Sequence, residues 1–146
     1  MADDYLMRLI DRLALLLAEL SGLQKMGRGG EVRRRIAEMC IQETGLPFEV
    51  VKKSSPQDLL ELLRTGGATY SSRAVTLAEL LLQDAELNDN LHNTRDANIE
   101  RVQAYVLLLN SVDKLDEVDQ AVYRPKLQAL AARLNVTSGY EPKSKK

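Results

Sequence analysis

The sequence predicts an all-α protein made of helical hairpins in series, about six helices in all. Three observations predict it. Leu6–Leu20, LMRLIDRLALLLAEL, is apolar round nearly the whole circumference of the helix it would form, with only Arg8, Asp11, Arg12 and Glu19 on one narrow polar stripe. Elsewhere apolar residues recur three and four apart between glycine, proline and Asn/Asp stops. The one β-branched cluster, in Phe48–Lys53, has no second strand to pair with.

The first helix is expected from Asp4 to Leu20, with Asp3 and Asp4 at the positive end of its dipole. So thin a polar stripe predicts burial by several partners, with the chain built around this helix. Ser21-Gly22 is expected to begin unwinding it, and Gly27, Gly29 and Gly30 to complete the turn. The second helix, Glu31–Glu43, carries the stripe Val32, Ile36, Met39 and Cys40, and Gly45 and Pro47 stop it. Phe48–Lys53 reads as a helix-to-helix connector. Ser55, Pro56 and Asp58 spell a helix start: cap, first helical position and capping box. The third helix carries Leu59, Leu60, Leu62 and Leu63 and ends at Thr65-Gly66-Gly67.

A fourth helix, Ser72–Leu87, has Val75, Ala78, Leu81, Leu82 and Ala85 as its inner face, widened by Leu77 and Leu80. Asn88–Asn93 is turn chemistry. Thr94 would cap a fifth helix, Arg95–Ser111, with Ile99, Val102, Tyr105, Val106 and Leu109 inward. The sixth starts near Asp116–Asp119 and reaches Leu134 through Val122, Leu127 and Leu130, with a kink or a late start at Pro125. Residues 1–136 thus form a single all-helical domain, and 137–146 a disordered, lysine-rich polar tail containing Lys143, Lys145 and Lys146. Helix one pairs with two and four with five. Each pair spans roughly 35 to 40 residues, the length of tetratricopeptide-type repeats, so the array is tetratricopeptide-like or a right-handed superhelix.

The opening Asp4-Tyr5-Leu6-Met7-Arg8-Leu9-Ile10, the Leu13–Ala18 run, the glycine turn, the Gly45-Leu46 stop and Asp58–Leu63 resemble a small bacterial all-helical family. Its members begin with an Asp-Tyr-x-x-Arg-x-Ile helix. The resemblance implies a tetratricopeptide-like domain of unknown function, and it brings no catalytic residue with it. Ala97 and Ala104 keep the seven-residue spacing of small residues in the repeat's second helix, with Arg101 where that repeat has a large aromatic.

Composition narrows the function. A net charge of −1 gives no surplus with which to displace counterions, and with no Trp and one Phe there is little for bases to stack on, so no nucleic-acid partner is expected. The longest uncharged run, Leu13–Ala18, is far below the roughly 20 apolar residues of a membrane span. Asp3 and Asp4 stand where a secretory signal carries basic residues. The single cysteine, Cys40, favours a reducing compartment, and a cytoplasmic location is expected.

Few residues offer chemistry. Cys40 sits on an apolar stripe and reads as a buried thiol of raised pKa. His92 is the only histidine and lies in a loop, too little for a zinc site. Asp113, Asp116, Glu117 and Asp119 lack the glycine and final glutamate of a calcium loop and read as helix-start acids. Arg28, Arg33, Arg34 and Arg35 follow a glycine-rich corner that opens a helix, where an anion could bind. Three adjacent arginines fan over about 200° of helix, however, and pairing with Glu31 and Glu38 is the plainer reading. Leu15 falls on the polar stripe of the first helix, which suggests cover by the C-terminal helix or a second subunit. The expected function is a non-enzymatic helical module that binds a protein or itself as a homodimer, with no cofactor. The alternative is an anion- or phosphate-binding domain at the Gly27–Arg35 corner.

Overall fold

The computed structural model describes residues 9–64 and 70–135. Among them are seven α-helices, α1 (Leu9–Lys25), α2 (Gly29–Thr44), α3 (Phe48–Lys53), α4 (Pro56–Arg64), α5 (Tyr70–Asn90), α6 (Thr94–Leu109) and α7 (Glu117–Arg133), with a 3₁₀ turn at Val112–Lys114. No strand occurs among these residues. The expected start of the first helix, the Thr65-Gly66-Gly67 stop and the 137–146 tail lie outside the described residues.

The central helix is α5, not the first. From Ala74 to Leu81 every residue of α5 is buried. It packs on α2 and α6 most extensively and also touches α1, α4 and the 3₁₀ turn. From Asp11 onward the first helix buries only Leu13 and Leu20 fully, with Leu16, Leu17 and Leu23 half-buried against the core. These positions make an ordinary one-sided stripe. Ala14 and Ala18 are exposed, and Leu15 is 64% exposed, so the C-terminal helix does not cover it. Alanine and leucine are strong helix formers on any face, and here propensity imitates burial. The supposed polar stripe instead brackets the seam with α2: Arg12 reaches Glu43 at 3.5 Å, and Glu19 reaches Arg35 at 2.6 Å.

Helix ends explain the other shifts of boundary. Ser21-Gly22 does not stop α1, which continues to Lys25 and closes on Gly27, whose φ is +73°. The Arg28 N–H donates to the Leu23 carbonyl and the Gly27 N–H to that of Gln24, the paired bonds of a Schellman cap. The same motif ends α5 beyond the expected Leu87. There the Asn93 N–H reaches the Asn88 carbonyl at 2.7 Å and the His92 N–H that of Asp89, with His92 in the left-handed position at φ +66°. Thr94 does not cap α6 but is its first residue; the cap position is Asn93. Phe48–Lys53 is a short helix and not a plain connector. Ser55 accepts the Asp58 N–H at 3.1 Å, as its spacing predicts.

The face that α6 turns inward also differs from expectation. Ala97, Glu100, Arg101, Ala104 and Leu108 are buried at true helical spacing, whereas Ile99 and Val102 are over 40% exposed. An apolar count mistakes this face because its polar members are paired inside. On α7, Asp116 caps the helix by accepting the Asp119 N–H at 2.8 Å, so no late start occurs and the helix runs through Pro125. Pro125 and Ala121, whose carbonyl loses the helical bond, are both exposed, so water can replace that bond. Tyr123, the inner anchor of α7, donates to Glu79 on α5 at 2.8 Å, and Lys126 meets the same carboxylate at 2.7 Å. Val118 and Val122 face outward.

Leu81→Ala on α5 should cost roughly 2–5 kcal/mol of unfolding free energy, the range for a fully buried leucine. Leu15→Ala should stay within about 0.5 kcal/mol, as for exposed sites. Urea unfolding of both variants ranks the two helices; a larger loss at Leu15 would contradict the placement of α5 at the centre.

Candidate functional site

Enclosing α5 carries polar side chains into the interior, and they converge on its C-terminal half. Asp84 and Asn88 lie one turn apart and are about 1% and 2% exposed. From α2, Arg33 brings Nε to 3.4 Å from Asp84 and donates to the Asn88 amide oxygen at 2.6 Å. Lys52, from the C-terminal turn of α3, reaches the other Asp84 oxygen at 3.4 Å. From α6, Glu100 accepts the Asn88 amide N–H at 2.8 Å through one carboxyl oxygen.

Burial, then the hydrogen bond to Asp84 and its charge, push the Glu100 carboxyl up to about 9, against smaller opposing effects of Asn88 and Lys52. Two carboxylates this close cannot both ionise in the interior. Asp84 faces two cations, Arg33 and Lys52, whereas Glu100 is the carboxyl that keeps its proton to higher pH. The second Glu100 oxygen is buried and has no hydrogen-bond partner among the described residues. One turn along, Asp89 pairs with buried Arg101 and, at 3.2 Å, with Arg133 of α7.

Over this cluster lies an open groove of about 890 Å³. One wall is the end of α3 and the start of α4, Lys52 to Pro56; the other is the first half of α6, from Thr94 to Gln103. Ile99 and Val102, 44% and 43% exposed and one turn apart, supply an apolar strip. Gln103 ties the walls together: its buried amide N–H₂ donates to the carbonyls of Val51 at 3.0 Å and Ser54 at 2.8 Å. Its Oε1 is buried with no donor among the described residues. A side cavity of about 200 Å³ shares Lys52, Lys53 and Ile99 with the groove and reaches Glu100. The arrangement offers an apolar strip between fixed walls, with Lys52 and Lys53 on one wall and Arg95 on the other.

The arginines expected to form an anion site are separated. Arg28 pairs with Glu31 at 2.6 Å, and Arg35 with Glu19 and Glu38. Arg33 turns inward to Asp84, and Arg34 faces solvent. A cavity of about 380 Å³ does lie at that corner, beside Gly27, Gly29, Gly30 and Leu91, but Arg33 is the only one of the four arginines lining it. Cys40 is fully buried, its thiol 3.7 Å from the Thr44 hydroxyl, and burial lifts its pKa to about 11. His92 is exposed, and its backbone serves the α5 cap. Of the acidic cluster, Asp116 caps α7, and Asp113 pairs with Arg124 at 2.6 Å. Among the described residues no group of three or more acidic, His or Cys side chains is placed to hold a metal ion. None of their helices is long and apolar enough to cross a membrane.

Reasoning from apolar spacing passes over Asp84, Glu100 and Gln103, because polar residues count there as solvent-facing. A signal existed in Ala97 and Ala104: two small residues seven apart mark the side of a helix that lies close against another, and Glu100 and Arg101 fall between them on that side. No family model, curated protein or solved structure matches the chain.

Two measurements check this site. Glu100 binds its proton more tightly folded than unfolded, so from about 4.5 to about 9 the folded protein keeps a proton that the unfolded chain has lost. This group therefore makes stability fall as pH rises through that window. Glu100→Gln, neutral in both states, should flatten that part of the melting-temperature profile and gain on the wild type towards alkaline pH; an unchanged slope would place the proton elsewhere. With its pKa lifted from 9.0 to about 11, Cys40 should carry about a hundredfold less thiolate than an ordinary cysteine. A disulfide-exchange reagent should then label it only in urea; rapid labelling of the native protein would contradict its burial.

Proposed function

We propose that the protein is a non-enzymatic helical interaction module that docks a segment of a partner protein in the groove between α3–α4 and α6. The observation that carries this reading is the pair Ile99 and Val102: apolar, one turn apart and exposed on a helix whose other face is fully packed. A groove of about 890 Å³ with walls tied by Gln103 has the size of a binding cleft and is preorganised, which lowers the cost of ordering on binding. The helical pairs α1–α2 and α5–α6 support reading the chain as a short tetratricopeptide-like array that presents one such surface. Membership of the small bacterial family suggested by Asp4–Ile10 rests on that motif. A cytoplasmic site of action rests on the single, buried thiol.

The groove is preferred over the Gly27–Arg35 corner because three of that corner's four arginines already contact acids of this chain. An enzymatic reading has little support: Cys40 is sealed in α2, and His92 ends a helix.

Selection of random short peptides on the full chain, followed by affinity measurement, tests docking. Val102→Asp, at an exposed position, should leave the fold intact and weaken selected peptides by about tenfold or more, as expected for an anchor contact. Selected peptides that bind the variant as tightly as the wild type would overturn the reading. Light scattering over a concentration series separates self-association, which the same substitution would abolish if a second copy were the occupant.

A further inference from the structure

The groove's electrostatics select among partners. Lys52, Lys53 and Arg95 line it, and no Asp or Glu does, in a chain whose net charge is −1. Lys52 is committed to Asp84, but Lys53 and Arg95 are exposed and have no ion-pair partner among the described residues. The first residues of two helices, Ser55-Pro56 before and in α4 and Thr94-Arg95 in α6, also line the groove. The N-terminal turn of a helix carries unpaired N–H groups and the positive end of the dipole. At α6 no side chain caps them, because Asn93 makes no capping bond. The opposing charges are local: Asp58 in the first turn of α4, Asp96 in that of α6, and Glu49, which with Asp96 lines the side cavity. A further feature points to a ligand. Gln103, about 1% exposed, is among the lining residues, and its Oε1 is buried without a donor among the described residues while its N–H₂ is held by the wall carbonyls.

We infer that the occupant is an acidic segment of a partner protein, with apolar side chains on Ile99 and Val102 and its carboxylates over Lys53 and Arg95. Opposite charges along exposed walls favour this sign of partner and repel a basic one. The same walls disfavour the chain's own lysine-rich tail as occupant. This inference rests on the docking reading above and specifies what docks.

The test is the same peptide selection, scored for charge. Peptides displaced by Val102→Asp should carry more Asp and Glu than the input library, and should bind more weakly as salt is raised. The doubly reversed variant Lys53→Glu/Arg95→Glu should weaken them by about tenfold or more and strengthen copies whose acids are replaced by lysine, as for a charge swap. Its melting temperature, compared with the wild type, confirms that both exposed substitutions leave the fold intact. Val102-dependent peptides with no acidic excess, or with affinity indifferent to the charge reversal, would overturn the acidic partner while leaving docking standing. Selected peptides indifferent to Val102→Asp would overturn docking itself. Decanoate shifting the groove's amide resonances, with no peptide recovered, would replace the peptide by a small anionic amphiphile and overturn the inference.

Discussion

The burial of α5 on all sides is the constraint on which the rest of the molecule depends. A helix enclosed from Ala74 to Leu81 cannot send every polar side chain to water: the Thr76 hydroxyl donates back to the Ser72 carbonyl of the same helix, and the longer side chains find partners on neighbouring elements. Glu79 finds Tyr123 and Lys126 on α7. Asp84 and Asn88 find Arg33, Lys52 and Glu100, on three other helices. These contacts decide which helix lies where: α7 crosses so that Tyr123 reaches Glu79, and α3 ends where Lys52 reaches Asp84. Apolar packing supplies the general attraction, while the polar partners are directional and reject rotations of a helix that bury the same area.

That constraint also produces the groove. Because α6 gives its inner face to Ala97, Glu100, Arg101 and Ala104, its next face must carry Ile99 and Val102 outward. Two β-branched residues at neighbouring positions thus keep over 40% of their surface open to solvent. The α3–α4 corner stands beside them because Gln103, on the inner stripe of the same helix, holds its carbonyls. One helix therefore serves two surfaces: an inward one that mixes Ala97, Ala104, Leu107 and Leu108 with the paired Glu100 and Arg101, and an outward one that carries Ile99 and Val102. Glu100 and Asp84 lie under the same corner, and the wall that carries Lys52 and Lys53 is fastened to the core through the Lys52–Asp84 contact.

The glycine-rich corner illustrates how a charge motif loses its meaning on folding. Arg28, Arg33, Arg34 and Arg35 are close in sequence, yet a helix distributes them over its circumference and each meets different neighbours. Gly27 is required there for a left-handed cap and not for cradling a ligand. His92 does the same work at the end of α5, a role that its chemistry alone would not suggest.

The sequence by itself determined the all-helical class, the Ser55 cap, the Gly45 stop and the burial of Cys40. These depend on neighbours within a turn or two, and short-range chemistry is written in the order of residues. Tertiary structure alone decided which helix is central. Leu6–Leu20 and Tyr70–Asn90 are both rich in leucine and alanine, residues that promote helix whether buried or exposed, so composition cannot rank them. It also decided the inner face of α6. Glu100, Arg101 and Gln103 are acceptable inside only because Asn88, Asp89 and the Val51 and Ser54 carbonyls, from 12 to 52 residues away, meet them there. A buried polar residue is stable through its partner, and the partner is specified by packing.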